Sequence, residues 1–252
     1  MAETMCDPNQ SAYDPSLVEA FDKALASLDQ TFTEEQVQQF LCYFSFLLET
    51  NKSLNLTAIT EPDEVAELHL LDSLSLLPYL DLPGGPRLID VGTGAGLPAV
   101  PLLIARPDFD FSLLDARQKR LGFIQEGLEK LGLADRCQLI HGRAEEVGQS
   151  KDYRETFDLA IARAVAPLNV LLEYCLPLVK PFGYFIAMKG RLDGELEVAG
   201  KAMKVLGGDL ADLVQFKLPE SGAERSLVIV QKIQKSPSRY PRKAGKIKSN
   251  PL

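Results

Sequence analysis

"RLIDVGTGAGLPAVPLLIARPDFDFSLLDA", Arg87 to Ala116, decides the fold. An apolar run, Arg87–Val91, leads into Gly92, Gly94 and Gly96, then a helical stretch, then a second run, Phe111–Leu114, ending beside Asp115. Working outward, short apolar runs recur at Gln138–Ile140, Leu159–Ala162, Tyr184–Met188, Asp212–Phe216 and Ser226–Gln231. Helical stretches such as "RQKRLGFIQEGLEKLG" and "LNVLLEYCLPLV" lie between most of them. That alternation predicts an α/β fold with a doubly wound, mostly parallel, Rossmann-like sheet. Runs such as "LIDV" and "YFIAM" suit strands buried on both faces. The last two runs are joined only by "KLPESGAER", which predicts a C-terminal antiparallel hairpin at one sheet edge.

Upstream, the chain reads as an N-terminal helical extension. "TFTEEQVQQFLCYFSFLLETN" opens with the capping box Thr33-x-x-Gln36 and continues with apolar residues at helical spacing. A second helix is expected after Thr60, with Pro62 in its first turn, running through "DEVAELHLLDSLSLL". His69, among apolar neighbours there, reads as a packed or surface histidine rather than a catalytic one. "PGGP" at Pro83–Pro86 breaks the pattern and sets the boundary.

The composition, 46% hydrophobic and 25% charged over 252 residues, is that of a globular chain. "MAETMCDPNQSAYDP" has neither the basic nor the apolar region of a secretory signal, and no apolar run is long enough to span a bilayer. Cys6, Cys42, Cys137 and Cys175 are scattered, and there are two histidines. No zinc site, other metal site or disulfide framework is expected, and a reducing cytoplasmic setting fits. The net charge of −8 hides an asymmetry: from Arg225 onward there are eight basic residues and no acid, so the first 224 residues carry −16. Such a segment reads either as a solvated tail or as a polyanion-binding one.

A lone glycine triplet is weak evidence, but a strand before it and a helix after it are what a nucleotide-binding turn requires. A dinucleotide fingerprint would need glycine at position 97, where Leu97 stands. Asp90, just before the loop, is badly placed beside a pyrophosphate and well placed for an ammonium, which favours S-adenosylmethionine. Asp115 can accept both ribose hydroxyls of an adenosine, the alternative being a cap on the helix starting near Arg117. Ala144 and Glu145, in "HGRAEEV", stand where an amide and a carboxylate could frame an adenine edge.

These residues make the chain recognisable. "LIDVGTGAGLPAVPLLIA" resembles the first motif of class I methyltransferases, and more narrowly the glucose-inhibited division protein B family, bacterial methyltransferases of small-subunit ribosomal RNA. "NLTAI", "HLLDSL", "GRAEE", "ARAVAPL", "MKG" and "YPRKAGKIKSNPL" continue the resemblance from about Phe32 to the end. Two features depart from the common pattern: Ala99 where glycine is frequent, and a small insertion, "GQSKDY", before Phe157. The resemblance implies methylation of guanine N7 in a 16S rRNA loop near the decoding centre, with 16S ribosomal RNA or the small ribosomal subunit as partner. It implies cofactor contacts at Gly92, Leu97, Ala144, Glu145 and Arg163, and less securely at Asp115; the first thirty residues receive no role. The organisation expected is thus a helical extension (1–82), an S-adenosylmethionine-binding methyltransferase domain (83–235) and a basic tail (236–252).

The chemistry of the acceptor can also be weighed. Exocyclic-amine enzymes carry an Asn/Asp-Pro-Pro-aromatic run after the fourth strand, where this chain reads "IARAVAP". Cys175, inside a helical stretch, lacks the Pro-Cys motif of a C5 nucleophile. Guanine N7 bears no proton, so no general base is required, and no catalytic residue is assigned. Arg163 has three readings: cofactor contact, a grip on RNA phosphate or the guanine edge, or an ion pair with Asp90 or Asp158. Lys189, ending the fifth run, is a candidate RNA contact, as are Arg239, Arg242, Lys243, Lys246 and Lys248 in the tail, with Tyr240 as a stacking face. A rival has "YPRKAG" folding back to shape the site. A small-molecule methyltransferase and a non-catalytic S-adenosylmethionine-binding assembly factor remain alternatives.

Overall fold

The computed structural model describes residues 13–252. The start of the helical extension, Cys6 and most of the stretch read for a signal lie outside the described residues.

Two helices open the described chain, α1 (Pro15–Ala26) and α2 (Glu34–Leu54). α2 begins as its sequence predicts: the Thr33 hydroxyl accepts from the Gln36 amide at 3.2 Å, and Gln36 Oε1 accepts from the Thr33 amide at 2.9 Å. The helix expected after Thr60 forms with an interruption. α3 (Pro62–Val65) runs into a π-helical stretch, Ala66–Leu71, before α4 (Asp72–Leu74). The wide turn redirects backbone carbonyls away from the ordinary i−4 pattern, a feature concentrated at functional sites.

After the Pro-Gly break the α/β pattern runs β1 (Arg87–Val91), α5 (Ala99–Ala105), β2 (Asp110–Asp115), α6 (Gln118–Lys130), β3 (Cys137–His141), α7 (Ala144–Val147) and β4 (Phe157–Arg163). It continues through α8 (Leu168–Cys175), β5 (Val179–Lys189), α9 (Glu195–Val205), β6 (Gly208–Lys217), β7 (Glu224–Lys232) and α10 (Ala244–Ser249). The sheet order is β3-β2-β1-β4-β5-β7-β6. The first five strands are parallel; β7 enters antiparallel beside β5 and pairs antiparallel with the edge strand β6. This is the doubly wound sheet with its terminal hairpin that the periodicity predicts.

Side-chain alternation divides the core. Leu88, Leu113, Leu159 and Ile161 face α2, α5 and α6, while Ile89, Leu114, Ala160 and Ala162 face α8 and α9. The helical extension shares the first core: Phe21, Phe40, Tyr43 and Phe44 are fully buried within it. The C-terminal segment shares the second, through Tyr240 and Ile247. Tyr240 is only 6% exposed, so it is no stacking face for a base; its ring instead lies beneath Arg239 and Arg242, 5.1 and 5.7 Å from their guanidinium carbons. Cys137 and Cys175 are free, whereas Cys42, on α2 beside Tyr13 and Leu17, is disulfide-bonded, a departure from the expectation of unpaired thiols. Among the described residues no helix is long and apolar enough to cross a membrane, and no group of His, Cys, Asp and Glu could hold a metal ion.

Candidate functional site

Strand order reverses between β1 and β4, and a crevice opens at their carboxyl ends, where doubly wound sheets bind ligands. The glycine loop forms one wall. Gly92, Gly94 and Gly96 have φ of 76, 62 and 73°, the left-handed region that glycine occupies without steric cost. Their surroundings differ. A Cβ on Gly92 would meet Val165 Cγ2 at 2.7 Å, and one on Gly96 would strike the Tyr43 hydroxyl and Val100, whereas one on Gly94 would make only ordinary contacts, with Arg120 Nη1 at 3.8 Å and the Gly92 carbonyl at 3.9 Å. Gly96 therefore serves packing: it admits Tyr43, whose hydroxyl donates to the Ala95 carbonyl at 2.9 Å. Leu97 is likewise part of the core beneath the loop.

Asp115 braces this loop from β2. Its Oδ2 accepts from the Gly94 amide at 3.0 Å, its Oδ1 accepts from the Arg117 amide at 2.8 Å, and Arg120 stands 3.5 Å away. It thus tethers the chain entering α6 while still facing the crevice. A cavity of about 490 Å³ lies here, lined by Gly92, Asp115, Ala116, Gly142–Glu145, Val165–Pro167 and Tyr174 among others. Ala144 and Glu145 fall on its wall at the start of α7.

Asp90 is the anomaly. It is 1% exposed, and neither carboxylate oxygen has a hydrogen-bond partner among the described residues; the Thr93 hydroxyl is also unpartnered. Burial pushes its carboxyl up to about 7, with Thr93, Arg163 and the Ala99 amide near enough to offset part of the effect. A buried acid held without a partner fits a site completed by a cationic ligand.

A second cavity, about 360 Å³, lies across the end of β4, lined by His69, Asp72, Arg163, Met188, Lys189 and Arg225 among others. Arg163 and Ala164 line this cavity and Val165–Pro167 line the first, so the end of β4 is the ridge between them. Ala164 holds a left-handed φ of 56°, uncommon outside glycine, at the crest.

Arg163 pairs with neither Asp90 nor Asp158. Asp158 is taken by Lys180 and by the Arg87 amide; Arg163 instead reaches Asp72 Oδ2 at 3.0 Å and the Leu68 carbonyl, in the π-helical stretch, at 3.3 Å. The other Asp72 oxygen binds Arg225 Nε at 2.8 Å, so one buried carboxylate holds two guanidinium groups. Lys189 is engaged as well, with Glu195 at 2.9 Å and the Ala166 carbonyl at 3.1 Å. His69 Nδ1 donates to the Leu68 carbonyl at 3.2 Å, so in the neutral ring Nε2 accepts from the Thr57 hydroxyl at 2.8 Å, a hydroxyl that also accepts from the Ile59 amide. Burial, with Arg163 adding to it, pushes His69 down to about 4, so the ring is neutral at pH 7.

Asp72, Arg225 and Thr57 carry no assigned role in the sequence reading. Their signal is slight: an acid within the apolar "HLLDSL" run, and an arginine counted only as tail charge. Within the tail itself, Arg242 clamps Glu173, which is fully buried, through Nε at 2.8 Å and Nη2 at 2.6 Å. Arg239, Lys243 and Lys246 are exposed, and Lys248, exposed as well, lies at the first cavity.

With this geometry in hand, comparison with known proteins is decisive. A family model, GidB, described as rRNA small subunit methyltransferase G, matches residues 36–228. A relative from Thermoanaerobacter sp. (strain X514), named ribosomal RNA small subunit methyltransferase G, is 49% identical over 217 residues, 86% of this chain and 90% of its own. One of the same name from Desulforamulus reducens is 47% identical over 224 residues, 88% of this chain and 93% of its own. Among solved structures, TrmN from Thermus thermophilus aligns with TM-score 0.50 at 20% identity, over 64% of this chain and 48% of its own, a likeness of fold.

Proposed function

The chain belongs to the GidB family of ribosomal RNA small subunit methyltransferases, and from that premise we propose that it methylates N7 of one guanine in 16S ribosomal RNA, in a loop near the decoding centre. S-adenosylmethionine is the cofactor, and it supplies an electrophilic methyl on a sulfonium. Asp90 would hold its ammonium, Asp115 its ribose, and Ala144 with Glu145 its adenine edge, while the left-handed backbone of Gly92 and Gly94 lets the chain approach closely. Gly96 and Leu97 act from beneath by holding the loop in shape. Arg163, on the ridge, lines the second cavity and not the first, so it would face the methyl acceptor more than the cofactor.

The observation that carries the N7 reading is the state of the groups around the second cavity. Asp72 is held by two arginines, Lys189 by Glu195, and neutral His69 by Thr57. None is a free proton acceptor. A nucleophile that must lose a proton would be poorly served here, whereas guanine N7 attacks through a lone pair and needs only alignment and exclusion of water. Arg163 and Arg225 present guanidinium donors suited to guanine O6 or to phosphate. The RNA, naked or in the small subunit, would meet these residues first, in the cytoplasm.

Mass spectrometry of 16S rRNA from a strain lacking the chain tests the proposal: one 7-methylguanosine should disappear. Unchanged 16S rRNA would overturn it, in favour of a small-molecule acceptor or a non-catalytic assembly role.

A further inference from the structure

We infer that the C-terminal segment, from Ser236 onward, is a structural part of the cofactor site, with Lys248 and Pro251 forming the outer wall of its adenosine end. The inference rests on the first cavity being the cofactor cavity. Three sets of contacts carry it.

The segment is tied down along its length. Arg154 donates to the Tyr240 carbonyl at 2.7 Å and to the Ser236 carbonyl at 2.9 Å, and Gln149 Nε2 donates to the Pro241 carbonyl at 2.9 Å. Gln149 belongs to the "GQSKDY" insertion and Arg154 follows it directly, so the departure from the family pattern is one of the tail's anchors. A second anchor is the Arg242–Glu173 pair, whose acid, fully buried on α8, has no other cation within ion-pair distance among the described residues. Finally, Ile247 of α10 is wholly buried, and Asn169 Nδ2 donates to the Leu252 carbonyl at 3.2 Å.

These anchors set the far end of the chain over the crevice. Lys248 and Pro251 line the 490 Å³ cavity together with Val170 and Tyr174 of α8 and with Asp115 and Ala144. Apolar surface from Pro251, Val170 and Tyr174 suits the face of a purine, and an ammonium at Lys248 suits its ring-nitrogen acceptors. Composition alone assigns Lys248 to RNA; its position assigns it to the nucleoside.

The test is the affinity of the full-length protein for S-adenosylhomocysteine by calorimetry, beside a truncation lacking Asn250–Leu252 and a Lys248→Ala variant. Both changes fall on exposed or half-exposed residues, so melting of the ligand-free protein should stay within a few degrees of the parent. The truncation should bind about tenfold more weakly and Lys248→Ala several-fold more weakly, through lost apolar contact and a lost charged donor. The truncation removes no cation, so its RNA affinity and salt dependence should match the parent. Equal ligand affinity in parent and both variants would overturn the wall and leave the cofactor reading intact. A parent that does not bind S-adenosylhomocysteine would instead overturn the cofactor reading, and the wall with it.

Discussion

Binding of the cofactor should release a proton below pH 7, because Asp90 is buried without a partner until an ammonium arrives. In the ligand-free protein burial lifts the carboxyl from 3.8 to about 7. At pH 6 the acid is therefore mostly protonated, and pairing it with the ligand's ammonium requires it to ionise. About 0.9 proton should leave per ligand bound at pH 6 and almost none at pH 8.5, and affinity should fall about tenfold per pH unit below 7. The same shift has a sign for stability. Below pH 3.8 folded and unfolded chains both hold the proton; between there and about 7 only the folded one does. Stability of the ligand-free protein should thus decline across that window as pH rises, by at most ~4 kcal/mol at 1.36 kcal/mol per unit. Calorimetry of S-adenosylhomocysteine binding at pH 6, in two buffers of different ionisation enthalpy, counts the proton. Asp90→Asn should bind ~1.5–3 kcal/mol more weakly at pH 8.5, having lost a charged hydrogen bond, and should release no proton. Proton release that is absent from the parent, or that persists in Asp90→Asn, would refute the reasoning.

Three further outcomes follow from the geometry. Asp72→Asn should cost about 3–5 kcal/mol in urea denaturation, since it strips the partner from two half-buried guanidinium groups; a cost below 1 kcal/mol would deny the bridge its role. Gly96→Ala should be worse for stability than Gly94→Ala, because only the former drives a Cβ into Tyr43 and Val100. The latter carries chiefly backbone strain, of order 1 kcal/mol, and equal thermal shifts would contradict this ranking. Neutralising Lys243 and Lys246 together should lower the salt slope of RNA binding by up to roughly 0.7–0.9 per phosphate contact, with cofactor affinity unchanged; an unaltered slope would remove them from the RNA surface.

The sheet was legible because its central strands β1, β2 and β4 are buried on both faces and read as short apolar runs. "RLIDV", "FSLL" and "FDLAIAR" needed no tertiary information to be recognised. The candidate site was legible only where it is local: Gly92 and Gly94 follow β1, Asp115 ends β2, and Ala144 and Glu145 open α7 just after β3. What stayed hidden depends on residues far apart in sequence. Asp72 meets Arg225 across 153 positions, and Glu173 meets Arg242 across 69. A basic composition hides the fact that Tyr240 and Ile247 are core residues, and periodicity cannot distinguish a π turn at Ala66–Leu71 from an unbroken helix.

One reconstitution tests the methyl transfer most directly: the purified protein, S-adenosylmethionine carrying a labelled methyl group, and small ribosomal subunits or 16S rRNA lacking the modification. Nuclease digestion and mass analysis should place one label per 16S molecule, on 7-methylguanosine at a single position. Label on an exocyclic amine, on cytosine C5 or on ribose, or no transfer to either RNA substrate, would contradict the account.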